Sequence, residues 1–133
     1  MKVTKSNFAG KQVYIGIDVH KKTYTVAALC ESVIVKTWTM QADSSGLGKQ
    51  LADEFPGSQL YCAYEAGFSG FVLYRSLHSA GISCLVVHPN SIARATRAKA
   101  KTDKNDAKNM ALLLSRGLLR GIHVPSIEQE QKR

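Results

Sequence analysis

The chain has 133 residues, 44% of them apolar and 21% charged, and 18 Lys and Arg against 10 Asp and Glu give a net charge of +8. The length fits one domain and the composition excludes wholesale disorder. No purely apolar run exceeds the five residues of Met110–Leu114, against about 20 needed to cross a bilayer, so no membrane association is expected. Lys2, Lys5 and Lys11 with no apolar stretch between them argue against a secretory signal. Cys30, Cys62 and Cys84 form no CxxC pair, and an odd count suits free thiols in a reducing cytoplasm.

Val13–Val19 (VYIGIDV) reads as a strand, β-branched and ending at an acid. Tyr24–Cys30 and Val33–Thr39 read as two more, joined by the short Glu31-Ser32 connection. Strands this close in sequence pair antiparallel, because parallel neighbours need a crossover of a dozen or more residues. Ser44–Phe55 has helical spacing at Leu47, Leu51 and Phe55 and is stopped by Pro56-Gly57. Leu60–Tyr64 is a fourth strand. A helix from about Ser69 to Ala80 follows, burying Val72, Leu73 and Leu77, with Gly81 at its C-cap. Ile82–Val87 is a continuous apolar strand of the kind covered on both faces. The last helix runs from about Lys104 to Arg116, with Ala107, Met110, Ala111 and Leu114 on one face and Gly117 closing it. The order β-β-β-α-β-α-β-α predicts an α/β fold: a mixed five-stranded sheet, three strands antiparallel and two parallel, with helices on both faces.

Basic charge is concentrated. Residues 1–30 carry five basic and one acidic side chain, and residues 89–108 carry six and two, whereas residues 31–88 carry three and five. Lys21 and Lys22 lie in the first stretch. In the second, Arg94, Arg97, Lys101, Lys104 and Lys108 step by three and four, which is one face if the segment is helical throughout. Such patches suit the phosphates of a nucleic acid, although a solubilising surface has the same composition. At the far end, Ser126 and Gln129 have the spacing of a capping box. This predicts a domain over residues 1–125 and, over 126–133, the start of a helical linker cut short before a missing second domain.

Four acids stand out. Asp18 ends the first strand and Glu65 follows the fourth; sites in open α/β sheets form outside the carboxyl ends of strands, where strand order reverses. Asp103 and Asp106, three apart, share a face at the start of the last helix. Four converging carboxylates repel one another unless cations intervene, and their hard oxygens suit Mg²⁺ or Mn²⁺. Two such ions serve phosphodiester displacement. Each acid also has a structural reading: Asp18 ends a strand, Glu65 sits in a loop, and Asp103 caps a helix with Asp106 at N3. His20 lies beside Asp18, to contact substrate or to cap the turn. Gly16 permits a close backbone approach or reflects packing alone.

The string Ile15-Gly16-Ile17-Asp18-Val19-His20-Lys21-Lys22, then Tyr64-Glu65-Ala66-Gly67, Gly70 and Leu73-Tyr74-Arg75, resembles the N-terminal half of DEDD-type transposases of the IS one-ten family of insertion sequences. The likeness continues through Ala80-Gly81, Val86-Val87, Pro89 and Lys101-Thr102-Asp103-Lys104-Asn105-Asp106-Ala107, covering about residues 13–127. The resemblance implies a RuvC-like, RNase H-type fold whose four acids match Asp18, Glu65, Asp103 and Asp106, with Mg²⁺ (or Mn²⁺) at the carboxylates. It implies a bacterial or archaeal recombinase that acts in the cytoplasm at the nucleoid, on DNA of its own element and of the target. It further implies a structured guide RNA, a homo-oligomer in full-length form, and a second half bearing a serine nucleophile, without which this stretch is inactive alone. Two alternatives share parts of the pattern. An actin-like ATPase begins with a similar IGID strand but needs a second phosphate loop, which this sequence lacks. A nucleic-acid-binding module without chemistry would use the same basic patches and no metal.

Overall fold

β-branched and aromatic residues dominate the first half of the chain and fit a pleated, half-buried surface. In the computed structural model, which describes residues 8–67, 70–88 and 106–124, they form β1 (Gln12–Val19), β2 (Thr23–Cys30) and β3 (Val33–Gln41). These strands pair antiparallel, with Ile17 opposite Val26 and Ala27 opposite Thr37. α1 (Ser44–Glu54) leads to β4 (Gln59–Glu65), α2 (Val72–Ser79) leads to β5 (Ser83–Val87), and α3 spans Asp106–Ser115. The sheet order is β3-β2-β1-β4-β5, with β4 parallel to both β1 and β5. This is the mixed five-stranded sheet that the strand spacing predicts.

Alternation along the strands sorts side chains onto two faces. Val13, Ile15, Ile17, Val26, Cys62, Tyr64 and Val86 pack with Leu47 and Leu51 of α1 and Leu73 and Leu77 of α2. Fully burying one such aliphatic side chain contributes about 1.5–3 kcal/mol. The intervening residues of the central strands face α3, whose Met110 forms a smaller core with Ala63 and Val87. Cys62 lies opposite Cys84 across the β4–β5 pairing, and both are free thiols. Burial pushes both thiols up, Cys84 to about 12, so they are inert packing groups as expected of core cysteines. Among the described residues no helix is long and apolar enough to cross a membrane.

Helix ends show where local pattern falls short. Asp43 caps α1, its carboxylate accepting from the Gly46 N–H at 3.1 Å, a role that apolar spacing does not reveal. α2 begins at Val72, which is 64% exposed at the first turn rather than buried with Leu73 and Leu77 as expected, and Phe71 in its N-cap position offers no side-chain acceptor. Gly81 and Gly117 take left-handed φ values of 80° and 70° to close α2 and α3, as the sequence predicts. The beginning expected for α3 near Lys104, the basic residues Arg94, Arg97, Lys101 and Lys104, and the helix start at Ser126 lie outside the described residues.

The β2–β3 hairpin turns on Glu31 and Ser32, both at positive φ (53° and 68°). Two-residue hairpin loops of this kind favour Asn and Gly because a Cβ crowds the backbone there. Just beyond it the register slips, Leu29 facing Ile34 but Ala28 facing Lys36, so Val35 is an extra, bulged residue. Glu31 also approaches Lys11 at 3.3 Å, which leaves Ser32 as the position to relieve. Ser32→Gly is expected to raise unfolding stability by about 1 kcal/mol, measured by urea denaturation at unchanged m-value.

Candidate active site

β1 and β4 bring two acids together by register. Ile17 pairs with Tyr64 in the parallel ladder, so the next residues, Asp18 and Glu65, sit side by side at the carboxyl ends of the central strands. Both share the α3 face, Asp18 by alternation with Gly16 and Glu65 by alternation with Ala63. The third acid arrives through a close helix–strand contact. A Cβ on Gly16 would overlap the Ala107 carbonyl oxygen and lie 2.7 Å from the Ala111 amide nitrogen. Of the two readings the sequence allows for Gly16, the structure therefore supports close backbone approach. Because Ala107 is pinned there, Asp106, the first residue of α3, is held at the same end of the sheet.

The electrostatics follow from this proximity. Glu65 is exposed at the strand end, yet its carboxyl is pushed above the usual glutamate range. Partial loss of water is the largest cause, followed by the negative charges of Asp106 and then Asp18. Hence Asp18, Glu65 and Asp106 form one like-charge group. Asp103 lies outside the described residues. Among the described residues, no three acidic, His or Cys side chains close into a ready-made metal cage.

Neighbouring side chains fix the site from two sides. Tyr64, fully buried on the opposite face of β4 from Glu65, donates from its hydroxyl to the Gly70 carbonyl at 2.8 Å and accepts from the Tyr74 N–H at 3.2 Å. It thus serves as the missing cap of α2 and ties that helix to the end of β4. Sequence spacing gives no hint of this role, since donor and acceptor are ten residues apart. On the β1 side, His20 Nε2 stands 3.2 Å from Asp18 Oδ2, with 53% of the His20 side chain exposed against 23% for Asp18. The His20 N–H bonds to the Thr23 carbonyl at 2.9 Å, which leaves Lys21 and Lys22 exposed at the tip of the turn, and Lys108 is exposed on α3.

A mixed five-stranded sheet in this order, with helices on its faces, is the RNase H-like fold of RuvC. Thermus thermophilus RuvC in complex with Holliday junction substrate matches it with a TM-score of 0.59, over 84% of this chain and 99% of that one at 11% identity. A second Thermus thermophilus RuvC structure matches with 0.57 over 83% and 99%, at 10% identity. The chain belongs to the DEDD transposase family of IS110 type, described as Transposase, which matches residues 15–131. Among its relatives, the transposase for insertion sequence element IS1533 of Leptospira borgpetersenii is 36% identical over 78% of this chain and 31% of its own length. A protein of Sinorhizobium fredii (strain NBRC 101917 / NGR234) named as transposase y4qE is 34% identical over 92% and 33%. The chain thus spans about a third of the length of the curated relatives it matches.

Two outcomes follow from this geometry. Gly16→Ala would drive a methyl group into α3 backbone that cannot rotate away, so it is expected to destabilise the fold by about 3 kcal/mol, read from the urea midpoint. For Glu65, the raised pKa means that the folded, metal-free protein holds the proton more tightly than the unfolded chain. That contribution is complete below the ordinary glutamate range and is lost as pH rises through the folded pKa. Glu65→Gln is therefore expected to be near neutral at pH 4 and stabilising at pH 7 in EDTA, by an amount that salt reduces.

Proposed function

We propose that this chain is the RuvC-like catalytic domain of a DNA transposase, binding divalent metal at Asp18, Glu65, Asp103 and Asp106 and cleaving or exchanging strands of the mobile element and its target as part of the full-length protein. The observation that carries the reading is the shared end of β1, β4 and α3, where register and the Gly16 contact bring Asp18, Glu65 and Asp106 together and where partial burial, then Asp106 and Asp18, raise the Glu65 pKa. The donor set fits Mg²⁺ or Mn²⁺: carboxylate oxygens whose mutual repulsion a cation relieves. When bound, such an ion supplies charge neutralisation and a more acidic water or hydroxyl. Asp18 and Glu65 offer oxygens from adjacent strand ends, and Asp106 offers them from across the α3 face. Lys21 and Lys22 at the β1–β2 turn and Lys108 on α3 would bind backbone phosphates, together with Arg94, Arg97, Lys101 and Lys104.

The same reading takes residues 1–125 as the RuvC-like unit and 126–133 as the start of a helical linker. A guide RNA, a homo-oligomer and a nucleoid location in the cytoplasm belong to the full-length protein in this proposal.

Thermal melting with EDTA and with Mn²⁺, alongside binding to branched DNA, tests the reading. In EDTA, Asp18→Asn and Asp106→Asn are expected to melt about 3 °C above wild type, because each removes one repelling charge. Mn²⁺ at 100 times its dissociation constant would stabilise wild type by about 2.7 kcal/mol by mass action, and the variants much less. Branched DNA should bind in a salt-sensitive manner, and more tightly with Mn²⁺ in wild type only. A nucleic-acid module without chemistry would bind DNA with no response to Mn²⁺, and that outcome would overturn the catalytic reading.

A further inference from the structure

We propose that His20 is a positioning residue: it fixes the Asp18 carboxylate by engaging Oδ2 and so leaves Oδ1 directed to the cation, an inference that rests on the metal site proposed above. The first observation is the contact itself, with His20 Nε2 at 3.2 Å from Asp18 Oδ2. Among the described residues His20 is the one ion-pair partner of Asp18. The second is the backbone that delivers it. The His20 N–H bonds the Thr23 carbonyl at 2.9 Å, and Asp18 faces Thr25 across the β1–β2 ladder. The ring therefore hangs from a closed two-residue turn and returns over the strand end, two residues beyond the acid.

The physical need is specific. The last torsion of an aspartate joins sp³ to sp² carbon and is broad and two-fold, so packing alone leaves the carboxylate plane loosely defined. Asp18 is the more enclosed member of the pair, 23% exposed against 53% for His20. A partner held against one oxygen restricts the planes the group can take. Partners of this kind, one bond removed from an ion, typically change metal affinity 10–100-fold when removed. Lys21 and Lys22, next along the turn, are exposed, which places them toward solvent and substrate, whereas the His20 ring turns back to the acid.

The alternatives predict different results. If His20 were itself a ligand, an amide could not replace its ring nitrogen well. If it were a cation competing with the metal, its removal would tighten binding. The test is Mn²⁺ affinity of the full chain, measured by electron paramagnetic resonance of the free ion, for wild type, His20→Ala, His20→Gln and Asp18→Asn, with EDTA melting curves of each. Gln places an amide N–H near the position of Nε2 and is the conservative variant. The expected result is a loss of about 10-fold or more in His20→Ala, recovery of most of it in His20→Gln, and an EDTA melting temperature within about 1 °C of wild type for both. Unchanged or tighter Mn²⁺ binding in His20→Ala overturns the proposal. So does an equal loss in His20→Gln, which would make the ring a ligand. Wild type that fails to bind Mn²⁺, or Asp18→Asn that binds as well as wild type, overturns the metal site and this inference with it. A normal wild-type site with an indifferent His20 overturns this inference alone.

Discussion

The contact between α3 and β1 at Gly16 is the constraint on which the site depends. Side chains normally hold a helix clear of the sheet beneath it, and here the helix backbone comes down onto the strand. Ala107 and Ala111, small and buried, complete the approach from the helix side. One residue before Ala107 stands Asp106, and two residues after Gly16 stands Asp18. A bulkier residue at position 16 would lift the helix and carry Asp106 with it, while leaving the sheet that holds Asp18 and Glu65 in place. The acid group is therefore set as much by a missing side chain as by the carboxylates.

Negative and positive charge divide the work at this end of the molecule. Partial burial, and then the charges of Asp106 and Asp18, push the Glu65 carboxyl above its ordinary range, so the fold holds these acids together at a cost in stability. Functional sites commonly trade stability in this way. Around the acids, exposed lysines at the β1–β2 turn and on α3 present charge of the opposite sign. Positive charge at the rim thus frames the negative centre.

Much of this was legible in the amino-acid sequence because it is written in short periods. The three strands of the meander, the strand ends at which Asp18 and Glu65 stand, and the apolar stripe of the last helix follow from short connections and from spacings of two and of three to four residues. The pairing of β1 with β4, which sets Asp18 beside Glu65, is long-range and no local spacing announces it. What escaped was long-range or chemical rather than periodic. Tyr64 caps α2 from a neighbouring strand, so no signal near Phe71 announces where that helix begins. Asp43 caps α1 beside two serines that serve the same purpose equally well on paper. The Glu31-Ser32 turn adopts a backbone that its residues do not favour, and only the pairing of β2 with β3 enforces it. Gly16 was visible but ambiguous, because a glycine in a strand says that something comes close without saying what.

The wide separation of the acids along the chain has a bearing on its biosynthesis. Asp18 and Glu65 can meet as soon as β1 and β4 have left the ribosome, but the 41 residues from Glu65 to Asp106 must still be translated before α3 can dock. At usual elongation rates that interval is about 2–8 s. Throughout it the nascent sheet holds Asp18 and Glu65 without Asp106. The three acids thus come together only when the last helix closes over the strand from which the sheet is built outward on both sides.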